Sequence, residues 1–174
     1  MHSTLIIYST TDGQTKLICE KIKKSLISSE QTKIVSLKEV HRESLESFDK
    51  IVIGASIRYG KHNKNVYKFI EANKNILQTK ISAFFTVNVV ARKPNKDLPE
   101  TNPYMQKFIK ISNWTPTKLG VFAGKIDYPK YKFFDKQIIR FIMFITKGPT
   151  NISKIYEFTN WKKVEEFAQD LDKL

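Results

Sequence analysis

Short apolar runs that alternate with stretches of helical periodicity constrain the fold of this 174-residue chain most. Residues 5–8 and 51–55 are apolar throughout, as strands buried on both faces of a sheet are. The predicted strands are residues 5–8, 33–37, 51–55, 82–90 and 119–123. Apolar residues at helical spacing predict helices within residues 17–26, 66–77, 105–109 and 161–171.

This order of elements predicts one domain over residues 1–174. Strands that alternate with helices lie parallel, are joined by right-handed crossovers and carry helices on both faces of the sheet. Five strands in a chain of this length favour an α/β, flavodoxin-like, doubly wound sheet of order 2-1-3-4-5. Ligands of such sheets bind beyond the carboxyl ends of the strands, so the loops after strands one, three and four are expected to build the site.

The net charge of +13 bears on the partners of the chain. Residues 105–150 hold nine lysines or arginines and two aspartates, which concentrates positive charge in about a quarter of the chain. The sequence indicates neither a signal peptide nor a membrane-spanning helix. The single cysteine, Cys19, is expected to be a buried residue of a protein in a reducing compartment.

The first candidate loop, residues 9–15, joins a buried strand to a helix and is rich in hydroxyl groups. Backbone N–H groups at a helix N-terminus, together with short hydroxyl side chains, can surround a phosphate. Gly13 allows the tight turn that such a loop needs. A plain helix cap is the alternative. A cap needs only one serine, threonine or aspartate, whereas this loop contains five such residues.

The second and third loops predict the two walls of a flavin site. Tyr59 can stack on a flat ring or cover the edge of the core, and both interpretations stay open. Asn88 can hydrogen-bond the pyrimidine edge of a flavin, and His62 is expected at the surface. The candidate cofactor-binding residues are Ser9, Thr10, Thr11, Asp12, Gly13, Gln14, Thr15, Ser56, Ile57, Arg58, Tyr59, Gly60, Val87, Asn88, Val89, Val90 and Ala91. No metal site is expected.

Residues 128–147 interleave basic and aromatic residues and then form a compact apolar run. On a helical wheel the apolar residues fall on one half and Lys132, Lys136, Arg140 and Lys147 on the other. This pattern is typical of a helix that lies in a membrane interface, and also of a helix packed on a sheet. The excess of basic residues favours an anionic membrane surface, and nothing in the sequence supports nucleic acid as a partner.

Four stretches resemble the flavodoxin-like, menaquinone-dependent protoporphyrinogen dehydrogenases of bacterial haem biosynthesis. They are residues 9–15, 52–60, 87–94 and 128–131. The sequences Ile57-Arg58-Tyr59-Gly60 and Ala91-Arg92-Lys93-Pro94 distinguish the chain from ordinary flavodoxins. Thr11 stands where this family is expected to carry arginine, which puts one charge partner of a phosphate in doubt.

The resemblance implies FMN as cofactor, protoporphyrinogen IX as electron donor and a membrane quinone, menaquinone or ubiquinone, as acceptor. Oxidation to protoporphyrin IX removes six electrons, so a flavin that accepts two at a time needs three rounds. Arg92 and Lys93 follow strand four and are expected to bind the propionates of the substrate. The expected location is peripheral, on the cytoplasmic face of the inner membrane.

Two other functions remain open at the level of sequence. A flavodoxin-type electron carrier would have no substrate of its own, and the basic, apolar segment 128–147 argues against it. An NAD(P)H–quinone reductase on the same fold is compatible with the absence of a G-x-G-x-x-G dinucleotide fingerprint.

Overall fold

The computed structural model describes residues 2–41 and 45–174. The strands are β1 (Thr4–Ser9), β2 (Thr32–Ser36), β3 (Lys50–Arg58), β4 (Lys61–His62), β5 (Ile81–Val87), β6 (Lys118–Phe122), β7 (Lys125–Asp127) and β8 (Ile155–Glu157). The α-helices are α1 (Gln14–Ser25), α2 (Lys64–Thr79), α3 (Pro103–Ser112), α4 (Phe133–Ile145) and α5 (Trp161–Asp172). Short 3₁₀ turns cover Ser29–Gln31, Val89–Arg92 and Tyr128–Lys130.

Five parallel strands form the main sheet in the order β2-β1-β3-β5-β6. This is the order that the sequence predicts, since β4 is only a two-residue antiparallel addition to the end of β3. Strand order reverses at β1, which lies between β2 and β3. The loops after β1 and β3 therefore leave the same edge of the sheet side by side.

Both faces of the sheet are buried, as the unbroken apolar runs predict. One face packs Ile7, Ile53 and Phe84 against α2 and α3. The other packs Ile6, Val52 and Phe85 against α1 and α5, and Cys19 is fully buried in this second core.

Gly54 shows how closely the central strands approach their neighbours. A Cβ atom at this position would lie 2.1 Å from the ring of Phe85, so the packing of β3 against β5 requires glycine here.

The fourth predicted strand, residues 82–90, is shorter than expected. β5 ends at Val87, and residues Val89–Arg92 form a 3₁₀ turn instead. The side-chain Oδ1 of Asn88 accepts a hydrogen bond from the Ala91 N–H at 3.1 Å. This bond stabilises a turn, so the backbone does not continue the hydrogen bonds of the sheet. Valine is common in strands, and this local hydrogen bond overrides that preference.

Candidate functional site

The main pocket lies beyond the carboxyl ends of β1, β3 and β5, where the three predicted loops meet. Fourteen of the seventeen predicted cofactor-binding residues line it, and the three that do not are Ser9, Gly13 and Ala91. The structure thus brings the three loops together at the expected edge of the sheet. Whether these residues hold the cofactor stays a prediction.

The first loop presents the N-terminus of α1 to this pocket. Gly13 precedes the helix with a φ of 92°, a conformation that favours glycine. The Thr10 hydroxyl accepts the Gly13 N–H at 3.0 Å and so fixes the turn. Thr15 lines the pocket and is fully buried, and its hydroxyl lacks a hydrogen-bond partner among the described residues.

A buried hydroxyl without a partner is rare in a folded protein, because leaving it unpaired costs about 1–3 kcal/mol. At a helix N-terminus it lies where backbone N–H groups and the helix dipole favour an anion. The loop therefore fits the phosphate of a nucleotide cofactor better than a plain helix cap.

The second loop is a two-residue turn between β3 and β4, whose pairing aligns Arg58 with Lys61. Tyr59 and Gly60 have φ angles of 49° and 76°, as the primed turns of tight hairpins require. This turn leaves the Tyr59 ring half exposed at the mouth of the pocket. The ring is free to contact a planar ligand and does not cover the core.

The side chain of Asp135, on α4, anchors that helix to the second loop. Its carboxylate lies 3.3 Å from the Arg58 guanidinium and accepts a hydrogen bond from the Tyr59 hydroxyl. The hydrogen bond to Asp135 raises the pKa of Tyr59. Arg58 also pairs with Asp12 of the first loop at 2.9 Å, so one guanidinium connects both loops and α4.

A buried polar chain lies behind the third loop. His62 Nε2 lies 2.9 Å from the Thr86 hydroxyl, and His62 Nδ1 lies 3.2 Å from the Tyr67 hydroxyl. The Thr86 hydroxyl accepts a 3.5 Å hydrogen bond from the Asn88 amide. Asn102 in turn donates to Asn88 Oδ1 at 3.2 Å, so the chain fixes the loop from behind.

The expectation that His62 lies at the surface is wrong. Its side chain is 3% exposed and makes edge contacts with the rings of Phe84 and Phe108. Sequence reasoning missed this because β4, the short strand that turns His62 inward, is only two residues long. Burial, together with the charge of Lys107, lowers the pKa of His62 to about 4.

Arg92 and Lys93, the predicted propionate ligands, do not line the main pocket. They line a second cavity of 310 Å³, next to Asp97 and Lys163. The Arg92 guanidinium donates to the carbonyl of Val89 at 3.0 Å and to the carbonyl of Thr146 at 3.0 Å. It therefore fastens the third loop to the carboxyl end of α4, and its substrate role stays a prediction.

Sequence reasoning missed the far side of the pocket, which comes from the second half of the chain. Ile139, Ile142 and Met143 of α4 line it, together with Lys125 and Tyr131. The helical spacing of residues 139, 142 and 143 was visible in the sequence. Nothing local indicated that this side would face the loops rather than the sheet.

The flavodoxin domain family matches residues 5–153 of the chain. The chain therefore belongs to this family of flavin-binding proteins. Solved structures agree on the fold: two-electron reduced Megasphaera elsdenii flavodoxin has a TM-score of 0.58 at 13% identity, covering 96% of this chain and 98% of that one. A flavodoxin from the domain Archaea has a TM-score of 0.55 at 14% identity, covering 98% and 96%.

Curated relatives define the family more narrowly. Protoporphyrinogen IX dehydrogenase [quinone] of Leishmania major is 40% identical over 95% of this chain and 73% of its own length. The protein of the same name from Escherichia coli K12 is 37% identical over 97% of this chain and 93% of its own length. The chain belongs to this family of quinone-dependent dehydrogenases.

The depressed pKa of His62 leads to a prediction about stability. The unfolded chain binds a proton near pH 6.5, whereas the folded chain binds it near pH 4. The stability that the folded chain gains by keeping His62 neutral is fully present above pH 6.5 and is lost as the pH falls from 6.5 towards 4. Lowering the pH from 7 to 5 should thus remove about 2 kcal/mol of unfolding free energy through His62.

Urea unfolding at both pH values measures this loss. The His62→Gln variant should lose about 2 kcal/mol less than the parent between pH 7 and pH 5. The matched control is His41→Gln, which alters an exposed histidine and should keep the pH dependence of the parent. Equal pH dependence in the parent and His62→Gln would contradict the burial of a neutral imidazole.

Proposed function

We propose that this chain binds FMN and oxidises protoporphyrinogen IX to protoporphyrin IX, with a membrane quinone as electron acceptor, in haem biosynthesis. The observation that carries the proposal is 37–40% identity to protoporphyrinogen IX dehydrogenases over almost the whole chain. The pocket at the carboxyl edge of the sheet supports it, since its first loop fits a phosphate and Tyr59 offers a ring beside it.

FMN suits the first loop better than a larger flavin nucleotide. The loop presents one helix N-terminus and, at Thr15, one buried hydroxyl without a partner, which together accommodate a single phosphate. Bound FMN would supply the two-electron redox chemistry. The residues of the chain would hold the cofactor, flank its ring with Tyr59 and the third loop, and orient the substrate.

Thr15 provides a direct test of the phosphate assignment. Thr15→Val keeps the shape of the side chain and removes only the unpaired hydroxyl, so the fold should be preserved. A hydrogen bond to a charged group contributes about 1.5–3 kcal/mol, so the dissociation constant of FMN should rise roughly 10- to 100-fold.

Quenching of FMN fluorescence on binding measures that constant. The matched control is Thr15→Ser, which keeps a hydroxyl and should bind FMN nearly as tightly as the parent. If Thr15→Val binds FMN as the parent does, the phosphate lies elsewhere.

The donor specificity tests the enzymatic proposal itself. Anaerobic mixing of the FMN-loaded protein with protoporphyrinogen IX should bleach the flavin absorbance, and a quinone should restore it. NADPH at the same concentration should leave the absorbance unchanged over the same time. Bleaching by NADPH alone would instead identify an NAD(P)H–quinone reductase, and bleaching by neither donor would favour an electron carrier.

The outer face of α4 supports attachment to an anionic membrane surface. The helix turns Ile139 and Met143 toward the pocket and leaves a set of large apolar residues exposed. That set is Phe133, Phe134, Ile138, Phe141, Phe144 and Ile145, and Ile142, which also lines the pocket, is 39% exposed. Phe134 is 78% exposed and Phe141 63%, so the apolar half of the helical wheel does not pack on the sheet.

Basic residues are also exposed on this part of the chain. Lys132, Arg140 and Lys147 are exposed at or near α4. Each basic residue near an anionic surface adds about 1 kcal/mol of attraction, and apolar side chains that enter the headgroup boundary add more. Within the described part of the chain, no helix has the length and hydropathy to cross a bilayer. From the exposed apolar face and the basic residues, we propose that the protein attaches peripherally to the cytoplasmic face of the inner membrane, where a lipid-soluble quinone is within reach.

Flotation with vesicles of phosphatidylcholine and phosphatidylglycerol measures this attachment. The parent protein should float with the vesicles, and less of it should float at high salt because salt screens the basic residues. A variant carrying both Phe141→Ser and Ile145→Ser should stay at the bottom of the gradient while it remains folded and loaded with flavin.

The matched control carries Ile27→Ser and Ile111→Ser, which remove two exposed apolar residues far from α4 in the sequence. This control should float like the parent. Equal flotation of the α4 variant and the control would show that the apolar face of α4 does not contact lipid.

A further inference from the structure

Protoporphyrinogen IX carries two propionates, so a pocket that binds it needs a cation that its own acids do not neutralise. Arg58 lines the pocket but does not meet this need. Its guanidinium lies between the carboxylates of Asp12 and Asp135, at 2.9 Å and 3.3 Å. That corner of the pocket has one more acid than base.

Lys125 also lines the pocket, and its ammonium group is only loosely paired. Its Nζ lies 3.8 Å from Asp127 Oδ2, which is too long for a hydrogen bond. Lys130 shares that oxygen at the shorter distance of 3.3 Å. Asp127 is therefore shared by two ammonium groups and does not hold Lys125 by a hydrogen bond.

The carboxylate on the neighbouring strand does not bind the Lys125 ammonium directly. Glu157 on β8 lies opposite Lys125 in the β7–β8 ladder. Its Oε1 accepts a 3.0 Å hydrogen bond from the Gln14 amide, and no ion pair within 4.0 Å joins it to Lys125 among the described residues. The same ladder holds the Lys125 backbone, while its side chain remains 27% exposed.

The surface next to Lys125 suits the rest of a tetrapyrrole. Ile139 and Ile142 of α4 line the same pocket and offer apolar contact area for a macrocycle. The Arg92 guanidinium, by contrast, already donates to two backbone carbonyls and the Thr146 hydroxyl, and it lies over the Phe158 ring. Among these cations, Lys125 combines access to the pocket with an ammonium group that no carboxylate of the described residues holds at hydrogen-bond distance.

We propose that the Lys125 ammonium binds a propionate carboxylate of the tetrapyrrole substrate in the flavin pocket. This inference rests on the function proposed above and adds the residue that selects a carboxylated substrate. The other anion within the pocket would be the FMN phosphate. The experiment separates the two anions, because loss of a phosphate partner weakens FMN binding and loss of a propionate partner does not.

The binding probe is protoporphyrin IX, which keeps both propionates of the substrate, and its dimethyl ester, which lacks their charge. Both are titrated into the FMN-loaded protein in the same detergent buffer, and porphyrin fluorescence is recorded. Lys125→Gln should weaken binding of the free acid about 10-fold and leave binding of the ester unchanged. Lys125→Arg, which keeps the charge, should restore most of the affinity for the free acid.

Two further variants complete the comparison. Lys162→Gln removes an exposed lysine of α5 and should bind both porphyrins like the parent. Lys93→Gln tests the prediction from the sequence, and it should change the affinity less than Lys125→Gln does. The Michaelis constant for protoporphyrinogen IX should follow the same order, with the Michaelis constant for quinone unchanged.

Four results would overturn the proposal. Lys125→Gln with unchanged affinity for the free acid would remove Lys125 from the substrate site, and a larger effect of Lys93→Gln would return the role to the third loop. A raised FMN dissociation constant in Lys125→Gln would assign the lysine to the phosphate instead. A parent protein that neither binds protoporphyrin IX nor oxidises protoporphyrinogen IX would overturn the proposed function as well.

Discussion

The burial of β1, β3 and β5 on both faces is the constraint on which the rest of the structure depends. Strands that are apolar on both sides need helices above and below, and such helices join parallel strands through crossovers. The carboxyl ends of these strands then meet at one edge of the sheet. The polar loops that follow them have to converge there, and they form the walls of the pocket.

The pocket also holds α4, which contributes little to the main core. The second loop contacts Asp135 near the start of this helix, and Arg92 of the third loop bonds Thr146 just beyond its end. Each wall of the pocket therefore fixes one end of the helix. The inner side of α4 faces the proposed flavin site while its outer side stays apolar and exposed, which suits a protein whose acceptor is dissolved in lipid.

The sequence predicted most of what depends on local pattern, and missed what depends on distant contacts. Apolar runs indicated the buried strands, and the hydroxyl-rich turn after the first strand indicated the first loop, because both features are local in the sequence. Lys125 and His62 carry no local signal. The position of Lys125 depends on a three-residue ladder with β8. The position of His62 depends on a two-residue strand that turns it under the third loop. Arg92 was expected to bind a propionate because it follows strand four, whereas the fold directs its guanidinium to backbone carbonyls.

A crystal structure of the FMN-loaded protein tests the central claim most directly, because that claim concerns where the cofactor lies. We expect the phosphate at the N-terminus of α1, within hydrogen-bond distance of the Thr15 hydroxyl, and the flavin ring beside Tyr59. FMN bound elsewhere, for example in the cavity lined by Arg92 and Lys163, would contradict it.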